Sequence, residues 1–230
     1  MDLKIKDVAE LLSVSETTIR RWLSEGKIPA YRLHHQYRFS RIEIENWMMS
    51  FRLKKESSQA ETVIYSNKEN RIKAPGSQQY SLFRAIHSGI LLYEPLGETK
   101  EEIMREALKK IAASMSLDHE VICNLFLDRE RLMSTALCNG LAVPHTRDFL
   151  LEGPHDIVSI AFLDKPISWG ALDGRPTEIL FFLFAANDKR HLHLLAKIAH
   201  LSNDPKALDF LKSRPNKERC LEFIKNWEPK

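Results

Sequence analysis

Between Glu56 and Gln79 the chain loses its hydrophobic rhythm. The stretch is rich in Ser, Gln, Asn, Lys and Glu, carries Pro75-Gly76 near its end and shows little helical periodicity. A segment of this composition reads as a linker, with brief order expected only around Thr62-Val63-Ile64-Tyr65. The 230-residue chain must therefore fold as two pieces, residues 1–55 and 81–230, joined by residues 56–80. No internal repeat appears. With 43% apolar and 28% charged residues, both pieces have material for a core.

Charge is unevenly divided between the pieces. Residues 1–55 carry a net +4, residues 56–80 are neutral and the remainder is −1. A polyanionic partner would therefore meet the first piece. The longest apolar run, Ile179 to Ala186, has eight residues, well short of the ~20 that a spanning helix needs. The first residues alternate charged with apolar side chains and do not resemble a secretory signal, so a cytoplasmic protein without membrane contact is expected. Cys123, Cys138 and Cys220 are scattered and never spaced Cys-x-x-Cys, which fits reduced, mostly buried thiols rather than disulfides or a zinc knuckle.

In the first piece Ile5, Val8, Leu11 and Leu12 recur at helical spacing. Ser15 can cap a second helix with Ile19, Trp22 and Leu23 on one face, ended by Gly26 and Pro29. Tyr31 to Phe39 alternates like a short hairpin, and Ser40 opens a third helix bearing Ile44, Trp47 and Met48. On the second helix Thr17, Arg21 and Ser24 lie opposite the apolar face, with Arg20 on the flank. A helix with an apolar back and a short cationic front suits the major groove, where Arg takes guanine bidentately. Arg32, His34, His35, Tyr37 and Arg38 on the hairpin are placed to hold phosphates.

The run from Val8 to Trp22, Gly26-Lys27-Ile28-Pro29-Ala30 and Tyr37-Arg38-Phe39-Ser40 resemble the excisionase-type winged helix-turn-helix of the MerR superfamily over residues 3–50. The resemblance implies a small, mostly α winged domain that binds DNA; the alternative is an interaction or dimerisation module. The wing tip His34-His35-Gln36 departs from the family, which often carries Gly there, but His tolerates left-handed turns better than most residues.

The second piece alternates helix and strand signals. Thr99 and Glu102 form a capping box for a helix with Ile103, Ala107, Ile111 and Met115 on one side, and Asp118 opens another. Buried strands are expected at Leu141–Val143, Ile157–Leu163 and Ile179–Ala185. Asp188 can cap a helix to about Leu201, and Pro205 and Pro215 sit where two more helices begin.

Passing a phosphoryl group between proteins needs a nucleophile that is neutral at physiological pH, which imidazole supplies with a pKa of ~6.5. It also needs cations and N–H donors for the phosphate oxygens. Arginines, hydroxyls and His145 occur together within Asp128–His145, where Pro144 stops a strand and leaves His145 on the loop beyond. This run resembles the acceptor motif of the fructose/mannitol-type IIA domain of the bacterial sugar phosphotransferase system, with the nitrogen-related branch nearest. Lys165-Pro166-Ile167-Ser168-Trp169, Leu172-Asp173-Gly174-Arg175-Pro176, Ile179-Leu180-Phe181 and His191-Leu192-His193-Leu194-Leu195 extend the likeness over residues 81–227.

The resemblance implies an α/β domain with a mixed sheet flanked by helices. It also implies His145 as phosphoryl acceptor, His191 as second active-site histidine, Arg129 as phosphate-binding arginine and Thr135 as a nearby hydroxyl. Counted from Asp188 as cap, His191 would sit at the third helical position, where helix N–H groups favour an anion. Cys138 stands where the family usually has Gly. Glu130 and Arg131 read as a solvated helix end, and His193 and His200 as structural or solvent-facing. Two histidines without a third ligand do not make a zinc site, and no cofactor is expected.

The implied partners are a histidine phosphocarrier protein as donor, DNA, a IIB protein or other regulated protein, and a second copy of the chain. The expected function is a regulator whose DNA binding is coupled to phosphorylation of His145, without small-molecule turnover of its own. The alternative is a phosphocarrier that acts only by docking or passes its phosphate to a IIB protein.

Overall fold

The computed structural model describes residues 2–12, 14–34, 36–51, 80–146, 148, 150–151 and 155–228. The expected linker, apart from Tyr80, and the wing-tip His35 lie outside the described residues. The chain divides into two compact units between Gly76 and Ser77.

In the first unit, β1 (Asp2–Leu3) and β2 (Tyr31–Leu33) flank β3 (Gln36–Ser40), both antiparallel to it. Around them lie α1 (Ile5–Leu12), α2 (Glu16–Ser24) and α3 (Arg41–Phe51). Helix α2 starts where Ser15 accepts the Thr18 N–H. It ends in a Schellman turn: the Gly26 and Lys27 N–H groups return to the Leu23 and Trp22 carbonyls, with Gly26 at φ +63°. That left-handed angle is why glycine stands there. Val8, Leu11, Ile19, Trp22 and Phe39 are buried. Helix α3 docks on the turn after α2, since Trp47 meets the Trp22 ring at 5.7 Å and donates Nε1–H to the Lys27 carbonyl at 2.6 Å. The wing turns through His34 in the left-handed region, φ 46°, so the hairpin keeps its turn without the family's glycine.

The second unit is built on a four-stranded mixed sheet, order β4-β6-β7-β5. Strands β4 (Leu91–Tyr93) and β6 (Ile157–Ile167) run parallel, as do β5 (Leu141–Ala142) and β7 (Thr177–Phe184), while β6 and β7 are antiparallel. Helices α4 (Ser81–Ser88), α5 (Lys100–Met115), α6 (His119–Leu132), α7 (Asp188–Leu201), α8 (Pro205–Lys212) and α9 (Lys217–Trp227) cover the sheet. Leu180, Phe182 and Phe184 pack against Ile103, Ala107, Ile111 and Phe126 of α5 and α6. Ile179, Phe181 and Leu183, pointing the other way along β7, are equally buried, which is why this strand reads as an unbroken apolar run.

The Thr99–Glu102 capping box and the Asp118 cap form as expected. Pro205 is the first residue of α8, whereas α9 starts two residues after Pro215 because the Asn216 side chain takes the Arg219 N–H. Elements α4 and β4 were not expected, although Leu82, Ala85 and Ile86 of α4 recur at helical spacing and are buried. Helix α4 is capped from a distance, the Glu228 carboxylate taking the Leu82 and Phe83 N–H groups at 2.8 and 2.9 Å while pairing with Lys197. Desolvation lowers the Lys197 pKa, with Glu228 acting against it.

Cys220 on α9 is wholly enclosed, and burial pushes its thiol up from the ordinary 9.0 to about 11. The folded chain keeps a proton that the unfolded chain releases above pH 9, so this stabilisation is full below pH 9 and is lost as pH rises to 11. The loss is worth about 2–3 kcal/mol. In urea titrations at pH 8 and 11 the wild type should lose stability by about that amount, and Cys220→Ala should flatten the drop. Cys123 and Tyr93, both also raised chiefly by burial, add to the remaining slope, while the lowered Lys197 works against it.

Candidate functional site

The second unit's candidate site is assembled from the end of α6, the turn into β5, the residues just after β5 and the first turn of α7. The apolar stripe of α6, Ile122, Cys123, Phe126 and Leu127, continues into Arg129 and Glu130, which are buried. Arg129 donates Nη1–H to the Met133 carbonyl at 3.0 Å. Glu130 is not a solvated helix end: it accepts Lys100 Nζ at 2.8 Å, the Thr135 N–H at 3.1 Å and the Thr135 hydroxyl. Arg131, one step round the helix, is the solvated residue and pairs with Asp128 and Glu101. Lys100 also donates to the Trp169 carbonyl, and its ammonium lies 5.4 Å from the Trp169 ring centre.

After Thr135 the chain reverses through Asn139 and Gly140, at φ 66° and 85°. Two successive left-handed residues favour Asn-Gly. The turn is closed by Leu137 N–H to the Leu141 carbonyl at 2.7 Å, and Val143 N–H reaches the Thr135 carbonyl at 3.0 Å. Asp173 and Arg175 clip the turn from outside, Asp173 taking the Asn139 N–H at 2.8 Å and Arg175 donating to its Oδ1 at 3.1 Å.

Pro144 has no N–H, but its carbonyl accepts the Leu183 N–H at 3.0 Å and holds His145 alongside β7 in a parallel bridge. His145 Nδ1 lies 2.7 Å from the Val143 carbonyl. A carbonyl only accepts, so Nδ1 carries the proton and the ring's basic lone pair is on Nε2. The His191 ring stands edge-on to that of His145, centres 4.9 Å apart at 65°.

The cap of α7 differs from expectation. Asn187, in extended conformation, takes the Arg190 N–H, so Asp188 is the first helical residue and His191 the fourth. The His191 N–H already bonds the Asn187 carbonyl at 2.9 Å, so its place beside His145 comes from its side chain, not from an unused helix N–H. His193 bonds Ser81 Oγ at 3.0 Å, and His200 packs on Trp227 at 5.2 Å. Of the four residues expected at this site, His145 and His191 meet directly. Thr135 is joined to His145 through Val143, and Arg129 lies six residues before Thr135.

In the first unit Thr17, Arg20, Arg21 and Ser24 are all exposed on α2, with Arg20 ion-paired to Glu16 at 3.6 Å. On the wing, Arg32 donates to Tyr37 Oη at 3.1 Å and lies over its ring at 4.9 Å. Arg38 is tied into the wing by Gln36 Oε1 at 2.8 Å and the Tyr37 carbonyl at 3.2 Å. Among the described residues no helix is long and apolar enough to cross a membrane.

Residues 88–227 match the family model described as "Phosphoenolpyruvate-dependent sugar phosphotransferase system, EIIA 2". The chain belongs to this EIIA type 2 family. Residues 3–52 match a second model, that of a helix-turn-helix domain. Among similar proteins is the nitrogen regulatory protein of Pseudomonas aeruginosa, 31% identical over 131 residues, which are 56% of this chain and 84% of that protein. The nitrogen regulatory protein of Escherichia coli K12 is 32% identical over 127 residues, 54% of this chain and 77% of that protein. The crystal structure of nitrogen regulatory protein IIA-Ntr from Neisseria meningitidis superposes with a TM-score of 0.53 at 26% identity, covering 60% of this chain and 93% of that one.

Glu130 and Lys100 are the residues of this EIIA domain that the motif reading missed. A signal for Glu130 was present, because it falls on the helical stripe of Phe126 and Leu127; Lys100, thirty residues away, had none. Gly140→Ala should place a Cβ about 3.3 Å from the Pro176 carbonyl at a left-handed φ. Its unfolding free energy should fall by about 1–2 kcal/mol in a denaturant titration.

Proposed function

We propose that the chain is a phosphocarrier-regulator. In this reading His145 accepts a phosphoryl group from a histidine phosphocarrier protein, and the helix-turn-helix binds DNA. The observation that carries it is the Nδ1–H bond from His145 to the Val143 carbonyl beside the edge-on His191 ring. The bond selects the tautomer whose Nε2 can attack. In the transfer an Nε2–P bond forms as the donor's own N–P bond breaks, and the donor imidazole leaves with its electron pair. The proton stays on Nδ1, donated to the Val143 carbonyl, whose oxygen favours the positive charge developing on the ring. Such transfers proceed through loose transition states governed by positioning and electrostatics. Arg129 and His191 supply the cationic and N–H character for the phosphoryl oxygens, as the family resemblance implies, and Thr135 holds the acceptor strand.

On the first unit Thr17, Arg20 and Arg21 would face base edges and Arg32, Tyr37 and Arg38 the phosphates. The exposure of Thr17, Arg20, Arg21 and Arg32 and the net +4 of residues 1–55 support this, with Tyr37 and Arg38 half-buried on the wing. A second reading has its own support in the multiphosphoryl transfer protein of Escherichia coli O157:H7, 31% identical over 143 residues. In this second reading the chain passes the phosphoryl group on to another protein and its helix-turn-helix only docks.

Incubated with a phosphorylated histidine phosphocarrier protein, the wild type should take up one label, located on His145 by mass spectrometry. Label persisting in His145→Ala would refute the acceptor assignment. DNA binding should weaken steeply with salt. Arg21→Ala should relax sequence preference, and Arg38→Ala should weaken all sites alike. Shift assays in which neither variant differs from wild type would leave the docking reading standing.

A further inference from the structure

Phosphoryl transfer brings negative charge to His145, yet a carboxylate is buried in the loop that carries it. Both Glu130 oxygens are occupied: Oε1 by Lys100 Nζ at 2.8 Å and the Thr135 N–H at 3.1 Å, Oε2 by the Thr135 hydroxyl. Lys100, at the start of α5, balances the charge and is itself held by the Trp169 carbonyl at 3.0 Å. From Thr135 the connection runs on without a gap. Its carbonyl takes the Val143 N–H at 3.0 Å, and the Val143 carbonyl takes His145 Nδ1–H at 2.7 Å.

We propose that Glu130 is a positioning residue for phosphoryl transfer, clamping Thr135 so that the Val143 carbonyl holds the Nδ1 proton and Nε2 faces the donor. The proposal rests on the reading of His145 as acceptor and adds the group that fixes its tautomer. Glu130 touches no reacting atom; it acts through two backbone residues. A carboxylate suits the task because charge-assisted bonds to N–H and O–H donors are about twice as strong as neutral ones. Paired with Lys100, it presents little net charge to the incoming phosphoryl group. With a neutral amide in its place, Lys100 loses its counter-charge, and the end that becomes NH₂ no longer accepts the Thr135 N–H or hydroxyl proton, so the clamp would loosen. An imidazole whose Nδ1 partner has moved divides its proton between both nitrogens, and only the fraction with the lone pair on Nε2 is competent.

The test uses the full-length protein with ¹⁵N-labelled histidine. Wild type should show His145 as a single Nδ1–H tautomer, and Glu130→Gln a mixture. The variant's transfer rate at saturating phosphorylated carrier should fall about tenfold or more, with the carrier's KM unchanged. A general loss of packing would not produce that split. Should Glu130→Gln fail to fold by circular dichroism, Thr135→Val and Lys100→Met, which weaken the same clamp from its other ends, carry the same expectation with smaller effects. An unchanged tautomer and rate in the folded variants overturns the proposal while a labelled wild-type His145 leaves the acceptor reading intact. A wild type that takes no label on His145 overturns the acceptor reading instead, and the tautomer measurement still decides whether Glu130 holds the ring.

Discussion

The site depends on one backbone hydrogen bond, from the Leu183 N–H to the Pro144 carbonyl. Proline cannot donate, so the ladder that β5 shares with β7 has no N–H at this point to carry it further. The carbonyl still accepts, and that half-connection holds the next residue against a strand buried on both faces. His145 is thereby carried on the buried sheet while its ring stays outside the ladder. The ring is then fixed by a second local bond, to the carbonyl two residues back. A side chain held in this way has little freedom left to lose, which is what the proposed phosphoryl transfer would use.

The surroundings of that histidine come from parts of the chain that share no local pattern. His191 arrives on α7, the Thr135 turn is braced by Asp173 and Arg175, and Glu130 is neutralised by Lys100 from another helix. A buried carboxylate with a single partner is costly to leave unpaired. Here it has an ammonium and two donors from one residue, so the polar cluster is satisfied rather than strained. The first unit follows the opposite plan. Its polar front, Thr17, Arg20 and Arg21, stays on the surface of α2, and only the back of the helix, Ile19 and Trp22, enters a core.

Much of this could be read from the residues because the deciding interactions are short-range. Ser15, Thr99 and Asp118 each cap a helix by reaching an N–H two or three residues ahead, which sequence spacing alone reveals. At α7 the same reasoning was one residue off, because Asn187 and Asp188 are both competent caps and only the extended backbone at Asn187 selects between them. Helix α4 and strand β4 were missed for a different cause, although Leu82, Ala85 and Ile86 of α4 do recur at helical spacing. The N-terminus of α4 is capped by Glu228, almost the whole domain away in sequence, and β4 is three residues long.

By itself the sequence determined the two-part organisation, the polar break between the parts, the amphipathic helices with their local caps and the Pro144-His145 step that ends a strand at an imidazole. These follow from composition, periodicity and the missing proline N–H, all properties of neighbouring residues. Tertiary structure alone decided that Glu130 faces inward to Lys100 while Arg131 faces water, and that His191 meets His145 by its side chain edge. Those outcomes depend on which distant donors the folded sheet and helices bring within about 3 Å, and no local pattern encodes such a distance.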